Sequence, residues 1–313
     1  MVKIDLITGF LGSGKTTFLL KYARYLMKKG MRIGILEYDY GAVNVDMMLV
    51  SALRCSKCEI EMVAAGCDTQ SLWRRFRTKL IAMAMSGYDR VIVEPSGVFD
   101  MDQFYDTLRD EPLDSWYEIG NVLTIVSAEL PEQQSPQADF LLASQAVSAG
   151  CILLSRVQLC SEEKIASVKE HINQAAAGIG CPRIPENYFE KDWNELEDAD
   201  FERLLNSGCR IGDYVKTIAG SGSDFESVCL MELKGTAEEL QNRVQRLFEE
   251  TRFGKIFRVK GFIHDSGGSR LLNASSDGIT LEPTGLGRDI LIVIGEELQE
   301  EAIRKLLKGE NDV

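Results

Sequence analysis

Residues 9–16 read Gly9-Phe10-Leu11-Gly12-Ser13-Gly14-Lys15-Thr16, set between an apolar run at 3–9 (KIDLITG) and a stretch of helical periodicity at 15–29. The spacing fits G-x-x-x-x-G-K-[ST] in the context that gives the pattern mechanical meaning, a buried strand running into a helix. Glycines let the backbone curl until successive N–H groups point at phosphate oxygens, and the helix N-terminus adds positive potential. The amides of Gly12, Ser13 and Gly14 are then expected to line a phosphate cradle, with Thr17 completing the run. Lys15 brings a point charge to the β and γ phosphates, and Thr16 offers a hydroxyl to Mg2+.

Outward from that loop, short β-branched runs at 32–38, 90–94, 121–126 and 151–154 alternate with helical stretches at 70–85 and 162–177, the latter with Ser161 as N-cap. The runs are nearly continuously apolar, as strands buried on both faces are. The expected fold is α/β, a phosphate-loop domain with a mostly parallel sheet flanked by helices, over residues 1–212. A Gly-Ser-Gly-Ser run marks 213–226 as a linker. Residues 227–313 then read as a small α+β domain: strands at 228–233, 257–263 and 290–294, a helix opened by Thr236, and a last helix at 297–307.

Composition narrows the function. With 48 acidic and 35 basic side chains the net charge is −13, which opposes a sequence-independent grip on nucleic acid or an anionic membrane. No apolar run approaches the roughly 20 residues that span a bilayer, and residue 1 leads directly into a strand pattern. The eight cysteines follow no disulfide framework, so reduced thiols in a cytoplasmic protein are expected.

A phosphate loop needs acidic partners at the ends of neighbouring strands to hold metal and position water. Glu94 ends an apolar strand and opens Glu94-Pro95-Ser96-Gly97, where the carboxylate can hold Mg2+ and the Gly97 N–H can meet the γ-phosphate. Asp39, just after the second strand, is the other candidate for metal holding and catalysis, and Asp46 a weaker one. The plain alternative for each is a solvated carboxylate at a strand end.

These segments resemble the CobW-type P-loop GTPases, relatives of the UreG and HypB nickel chaperones. The resemblance rests on Ile7-Thr8-Gly9-Phe10-Leu11-Gly12-Ser13-Gly14-Lys15-Thr16-Thr17, on Asp39-Tyr40-Gly41-Ala42-Val43-Asn44-Val45-Asp46, on Glu94-Pro95-Ser96-Gly97, and on residues 258–262 and 290–295 near the C-terminus. It implies GTP hydrolysis coupled to handling a metal or a metal-bearing cofactor, with a metalloprotein or corrinoid-protein client and a homodimer as expected partners.

The chain departs from the family pattern twice. Where relatives carry Gly-Cys-x-Cys-Cys as a metal site, this sequence has Gly66-Cys67-Asp68-Thr69-Gln70, while Cys55-x-x-Cys58 lies upstream. Cys55, Cys58 and Cys67 are therefore candidates for a three-thiolate site for Zn2+ or another transition metal, with Glu59 or Glu61 as fourth ligand, the alternative being ordinary cysteines. At the guanine-reading position the family's Asn-Lys-x-Asp is replaced by Ser155-Arg156-Val157-Gln158, and Ser127 stands where relatives end a strand with aspartate. An aspartate accepts two hydrogen bonds from guanine, whereas the Gln158 amide offers one acceptor oxygen and a donor, so the choice between GTP and ATP is open.

Other features read as framework. Arg74, Arg75 and Arg77 form a basic helix face, Met83 and Met85 are expected to fill core, and His171 and His264 are expected to be structural or solvent-facing. The leading expectation is a Mg2+-dependent nucleoside triphosphatase with slow hydrolysis. The alternatives are a nucleotide-dependent binding switch acting through residues 39–46, and a small-molecule kinase.

Overall fold

The computed structural model describes residues 1–39, 49–64, 69–99, 101–182, 185–210, 212, 225–231, 233, 235–265, 267–275, 278–284 and 289–309. Contacts group the residues up to 212 into one unit and those from 225 onward into a second.

The first unit runs β1 (Val2–Thr8), α1 (Lys15–Lys28), β2 (Ile33–Asp39), β3 (Cys58–Ala64), α2 (Thr69–Ala84), β4 (Arg90–Pro95), α3 (Met101–Arg109), α4 (Leu113–Trp116), β5 (Tyr117–Ser127), α5 (Pro136–Ser148), β6 (Cys151–Ser155), α6 (Glu162–Gly178), β7 (Tyr188–Phe189) and α7 (Asp198–Leu205). Its sheet has seven strands in the order β3-β2-β4-β1-β5-β6-β7, and the registered pairs are parallel. β4 and β6 are buried at every position, because crossover helices cover both faces. β1 lies between strands reached by crossovers in opposite directions, and such a switch point opens a crevice at the strands' carboxyl ends.

One buried cluster shows what fixes that crevice. Asp5 on β1 accepts hydrogen bonds from Tyr22 of α1 at 2.8 Å and from the Asn121 amide of β5 at 2.8 Å, and pairs with Arg90 of β4. The Asn121 side chain in turn accepts from the Gly208 N–H at 2.8 Å. Three central strands, the helix after the phosphate loop and the chain beyond α7 are thus tied through buried polar groups that satisfy one another.

The second unit runs β8 (Phe225–Met231), α8 (Ala237–Glu249), β9 (Lys255–Asp265), β10 (Gly268–Ser275), β11 (Gly278–Pro283), β12 (Ile290–Glu296) and α9 (Glu300–Lys308). Its strands form an antiparallel sheet in the order β11-β10-β9-β12-β8. Leu240, Val244 and Leu247 of α8 and Ile303 and Leu307 of α9 pack on Val259, Leu291 and Val293. Thr236 caps α8 through a reciprocal box with Glu239.

Several elements depart from the sequence expectation. β8 begins at Phe225, two residues inside the expected linker, and ends at Met231 instead of running to residue 233. The last helix starts at Glu300 because Glu297 has a φ of 54°, which no helix interior accepts. β3, β7, β10 and β11 and the helices α3, α4, α5 and α7 had no counterpart in the sequence reading. Among the described residues no helix is long and apolar enough to cross a membrane.

Candidate nucleotide site

The phosphate loop leaves the carboxyl end of β1 and enters α1 through Gly14, the helix N-cap, whose φ is 102°. A Cβ there would be strained by the backbone and would stand 3.1 Å from the Trp193 ring, so the position calls for glycine. The Lys15 ammonium donates to the carbonyls of Gly9 at 2.9 Å and Phe10 at 3.3 Å, which turns it into the loop. Ser13 is buried, its N–H donating to the Phe10 carbonyl at 3.3 Å; its hydroxyl has no hydrogen-bond partner among the described residues. Gly12 lies between these residues in the loop, and Thr17 is exposed on the first turn of α1.

Opposite the loop, the Thr16 hydroxyl donates to Glu94 Oε1 at 2.7 Å. Glu94 is only 4% exposed at the end of β4, so two hard oxygen donors meet in a water-poor setting. Adjacent ligands in a Mg2+ octahedron with bonds of about 2.1 Å stand about 3 Å apart, and Thr16 with Glu94 fits that donor set. Gly97 follows: a Cβ on it would stand 2.5 Å from the Leu11 backbone nitrogen, so the chain after β4 lies directly on the phosphate loop. The Gln145 amide of α5 donates to the Gly97 carbonyl at 3.4 Å, and the Ser96 N–H donates to the Tyr38 carbonyl at 2.7 Å.

On the other flank, the Ser155 hydroxyl donates to the Ser13 carbonyl at 2.7 Å. Arg156, at a φ of 59°, donates from Nη2 to the Gly12 carbonyl at 3.1 Å and from Nη1 to Ser127 Oγ and Glu129, each at 3.2 Å. The segment that stands in for Asn-Lys-x-Asp therefore braces the loop with its first two residues. Gln158 sits exposed on the 3-10 turn Val157–Leu159 that follows.

Three residues in this geometry were absent from the sequence reading as site residues. Glu37 on β2 is in register with Glu94 on β4, and both carboxylate-bearing residues are buried. An acidic residue inside an apolar strand was the available signal. The bracing role of Arg156 had no signal beyond its position. Trp193 packs on Phe18 with ring centroids 5.6 Å apart and against Gly14, yet it follows a strand of two residues that apolar patterning does not reveal.

The other expected positions fall elsewhere. Asp39 ends β2, but its side chain is not described, and Asp46 and Cys67 lie outside the described residues. Cys58 opens β3 and is buried. The expected sharing of one ion by Cys55, Cys58 and Cys67 therefore rests in part on a residue outside the described ones. Burial, with a smaller contribution from Cys55, pushes the Cys58 thiol up to about 12. Glu59 and Glu61 are corrected as fourth ligands, because side chains alternate along a strand and theirs point to the face opposite Cys58. There Glu59 accepts from Tyr88 at 2.7 Å and Arg32 at 3.1 Å, and Glu61 pairs with Lys79.

Arg74 and Arg75 are exposed on α2, while Arg77 donates to the Glu111 carbonyl. Met83 is core, but Met85 is 76% exposed one turn-edge later, contrary to expectation. His171 meets Asp139 at 2.7 Å, and His264 is exposed beside Ser269.

A family model described as CobW/HypB/UreG, nucleotide-binding domain, matches residues 3–180, and one described as the cobalamin synthesis protein cobW C-terminal domain matches residues 232–310. The zinc chaperone YjiA of Escherichia coli K12 is 24% identical over 330 residues, covering 98% of each chain. The zinc-regulated GTPase metalloprotein activator 1 of Dictyostelium discoideum is 25% identical over 321 residues, covering 83% of this chain and 62% of its own. A crystal structure of Zn(II)-bound YjiA GTPase from E. coli aligns over 99% of each chain with 18% identity and a TM-score of 0.39.

Proposed function

The chain belongs to the CobW/HypB/UreG family of nucleotide-binding proteins, and from that premise we propose that it binds GTP with Mg2+, hydrolyses it slowly, and couples the cycle to handling a transition metal. The observation that carries this reading is the meeting of Thr16 and Glu94 at 2.7 Å beneath a loop into which Lys15 is already turned. Relatives named as zinc chaperones and as a zinc-regulated GTPase support the guanine nucleotide and zinc.

Each residue has a derivable task. The loop amides of Gly12, Ser13 and Gly14 and the Lys15 ammonium neutralise charge gathering on the transferring γ-phosphoryl group, in a site with little water to screen them. Thr16 and Glu94 would hold Mg2+, which when bound offsets charge on the β and γ oxygens. The Gly97 amide is assigned to meeting the γ-phosphate, a role supported by the contact of Gly97 with the loop at Leu11. Asp39, at the end of the strand next to β4, is assigned to orienting the attacking water. Gln158 contacts the base, and the client is a protein that requires a metal.

Lys15→Ala tests the assignment. Mg2+-dependent phosphate release from GTP should fall to background, and unchanged turnover would remove the enzyme reading. Single-turnover assays with and without Zn2+ extend the test, since bound nucleotide that is never cleaved under either condition would leave a binding switch in place of a hydrolase.

A further inference from the structure

We propose that Met27, Cys55 and Cys58 form a sulfur site for a soft monovalent cation of the Cu(I) type, at the end of the sheet opposite the phosphate loop. The inference does not depend on the nucleotide chemistry proposed above, and its test uses none.

The Cys55 N–H donates to the Cys58 carbonyl at 3.0 Å, and the Cys58 N–H returns a bond to the Cys55 carbonyl at 3.2 Å. The two cysteines are thus a directly opposed antiparallel pair closed over Ser56 and Lys57. In such a pair the side chains leave on the same face with Cβ atoms about 5 Å apart, a spacing from which two sulfurs reach one ion at about 2.3 Å each. A third sulfur is already present: Met27 Sδ on α1 lies 3.7 Å from Cys55 Sγ. Helix α1 thus brings a third sulfur to the pair.

The donor set selects the ion. Thiolate with thioether suits Cu(I) over harder metals, whereas a structural zinc site wants four nitrogen, sulfur or carboxylate donors. The carboxylates of β3 lie on its other face, with Glu59 bound to Tyr88 and Arg32 and Glu61 to Lys79. Among the described residues no three His, Cys, Asp or Glu side chains gather to hold a metal. Arg54 precedes the pair and Lys57 lies in the turn between its cysteines, and these positive charges balance the single negative charge of a Cu(I) dithiolate. Cys58 is buried and Cys55 exposed, so the ion enters from the Cys55 side and ends sheltered. Binding displaces the thiol protons into solvent.

The test is anaerobic titration of the fully reduced chain with Cu(I) against a chromophoric chelator, with X-ray absorption on the loaded protein. One Cu(I) per chain in an all-sulfur shell is expected. Cys55→Ser should weaken binding by at least the roughly 10–100-fold that loss of even a supporting partner costs. Met27→Leu should weaken it less and remove one sulfur from the shell. Both substitutions spare buried Cys58, and an unchanged thermal unfolding midpoint of the metal-free protein in each would show that the variants are folded. Wild type binding no more Cu(I) than Cys55→Ser, or a Met27→Leu variant with unchanged affinity and shell, would overturn the proposal. So would Zn2+ held as tightly as Cu(I) and indifferent to Met27.

Discussion

Thr16 Oγ1 donates a 2.7 Å hydrogen bond to Glu94 Oε1, joining the first turn of α1 to the end of β4 across 78 residues of chain. The parallel register of β1 with β4 makes the meeting possible, because Leu6 opposite Val93 brings the two strand ends level. Glu94→Gln keeps the shape and an acceptor but removes the charge. A hydrogen bond to a charged group contributes about 1.5–3 kcal/mol, so Mg2+-dependent GTP affinity should fall roughly 10–100-fold. Binding measured in EDTA should change little, and an equal loss in both conditions would mean that Glu94 only supports the loop.

Arg156 donates to the Gly12 carbonyl and is anchored by Ser127 and Glu129, so it is a strut between the phosphate loop and the ends of β5 and β6. The side chain is partly exposed, and water takes over some of what its removal leaves unsatisfied. Arg156→Ala should therefore weaken GTP roughly tenfold, near the low end of a charged hydrogen bond. The loss should appear as faster nucleotide release in stopped-flow measurements, with association unaffected.

Gly97 has no space for a side chain, since a Cβ would stand 2.5 Å from the Leu11 nitrogen and 2.9 Å from its Cα. Neither backbone atom can rotate away. Gly97→Ala should cost about 1–3 kcal/mol, the usual range for overpacking, and should also push the loop out of its phosphate-binding shape. Thermal unfolding with and without GTP checks both effects: the variant should melt lower and gain less from nucleotide.

The sequence and the structure agree best where chemistry is local. The phosphate loop is legible because eight consecutive residues, a preceding strand and a following helix all specify one conformation, and β4 is legible because every residue in it is buried. Long-range placement is not. That Glu94 meets Thr16, or that Glu37 lies beside Glu94, depends on strand order, which no local pattern encodes. β3 escaped because Glu59 and Glu61 interrupt its apolar run, as an edge strand tolerates. β10 and β11 escaped because most of their positions are half-buried or exposed, which leaves no strong alternation to read.

Burial pushes the Cys151 thiol from 9.0 up to about 11 and the Tyr188 phenol from 10.0 up to about 12, on adjoining strands where Ile152 registers with Tyr188. As pH rises above about 9 the unfolded chain loses these protons first, so the folded state binds more protons and stability must fall with pH. The loss should run from about pH 9 to 12. Urea midpoints taken across that range should decline, and Cys151→Ala should flatten the part below pH 11. A flat profile in wild type would show that these groups keep solvent access.

Gln158 sits on the exposed 3-10 turn Val157–Leu159, just beyond the residues that brace the loop. A glutamine amide presents one acceptor and one donor, whereas an aspartate accepts from both the ring N–H and the exocyclic amine of guanine and is repelled by the bare ring nitrogen of adenine. If the base is read from this turn, Gln158→Asp should raise the preference for GTP over ATP by roughly 10–100-fold, the worth of a charge-assisted hydrogen bond. Competition between labelled GTP and unlabelled ATP measures that ratio directly. A ratio equal to wild type would move base reading off this turn, and the Trp193 indole, packed against Gly14 at the same end of the loop, is then the next group to substitute.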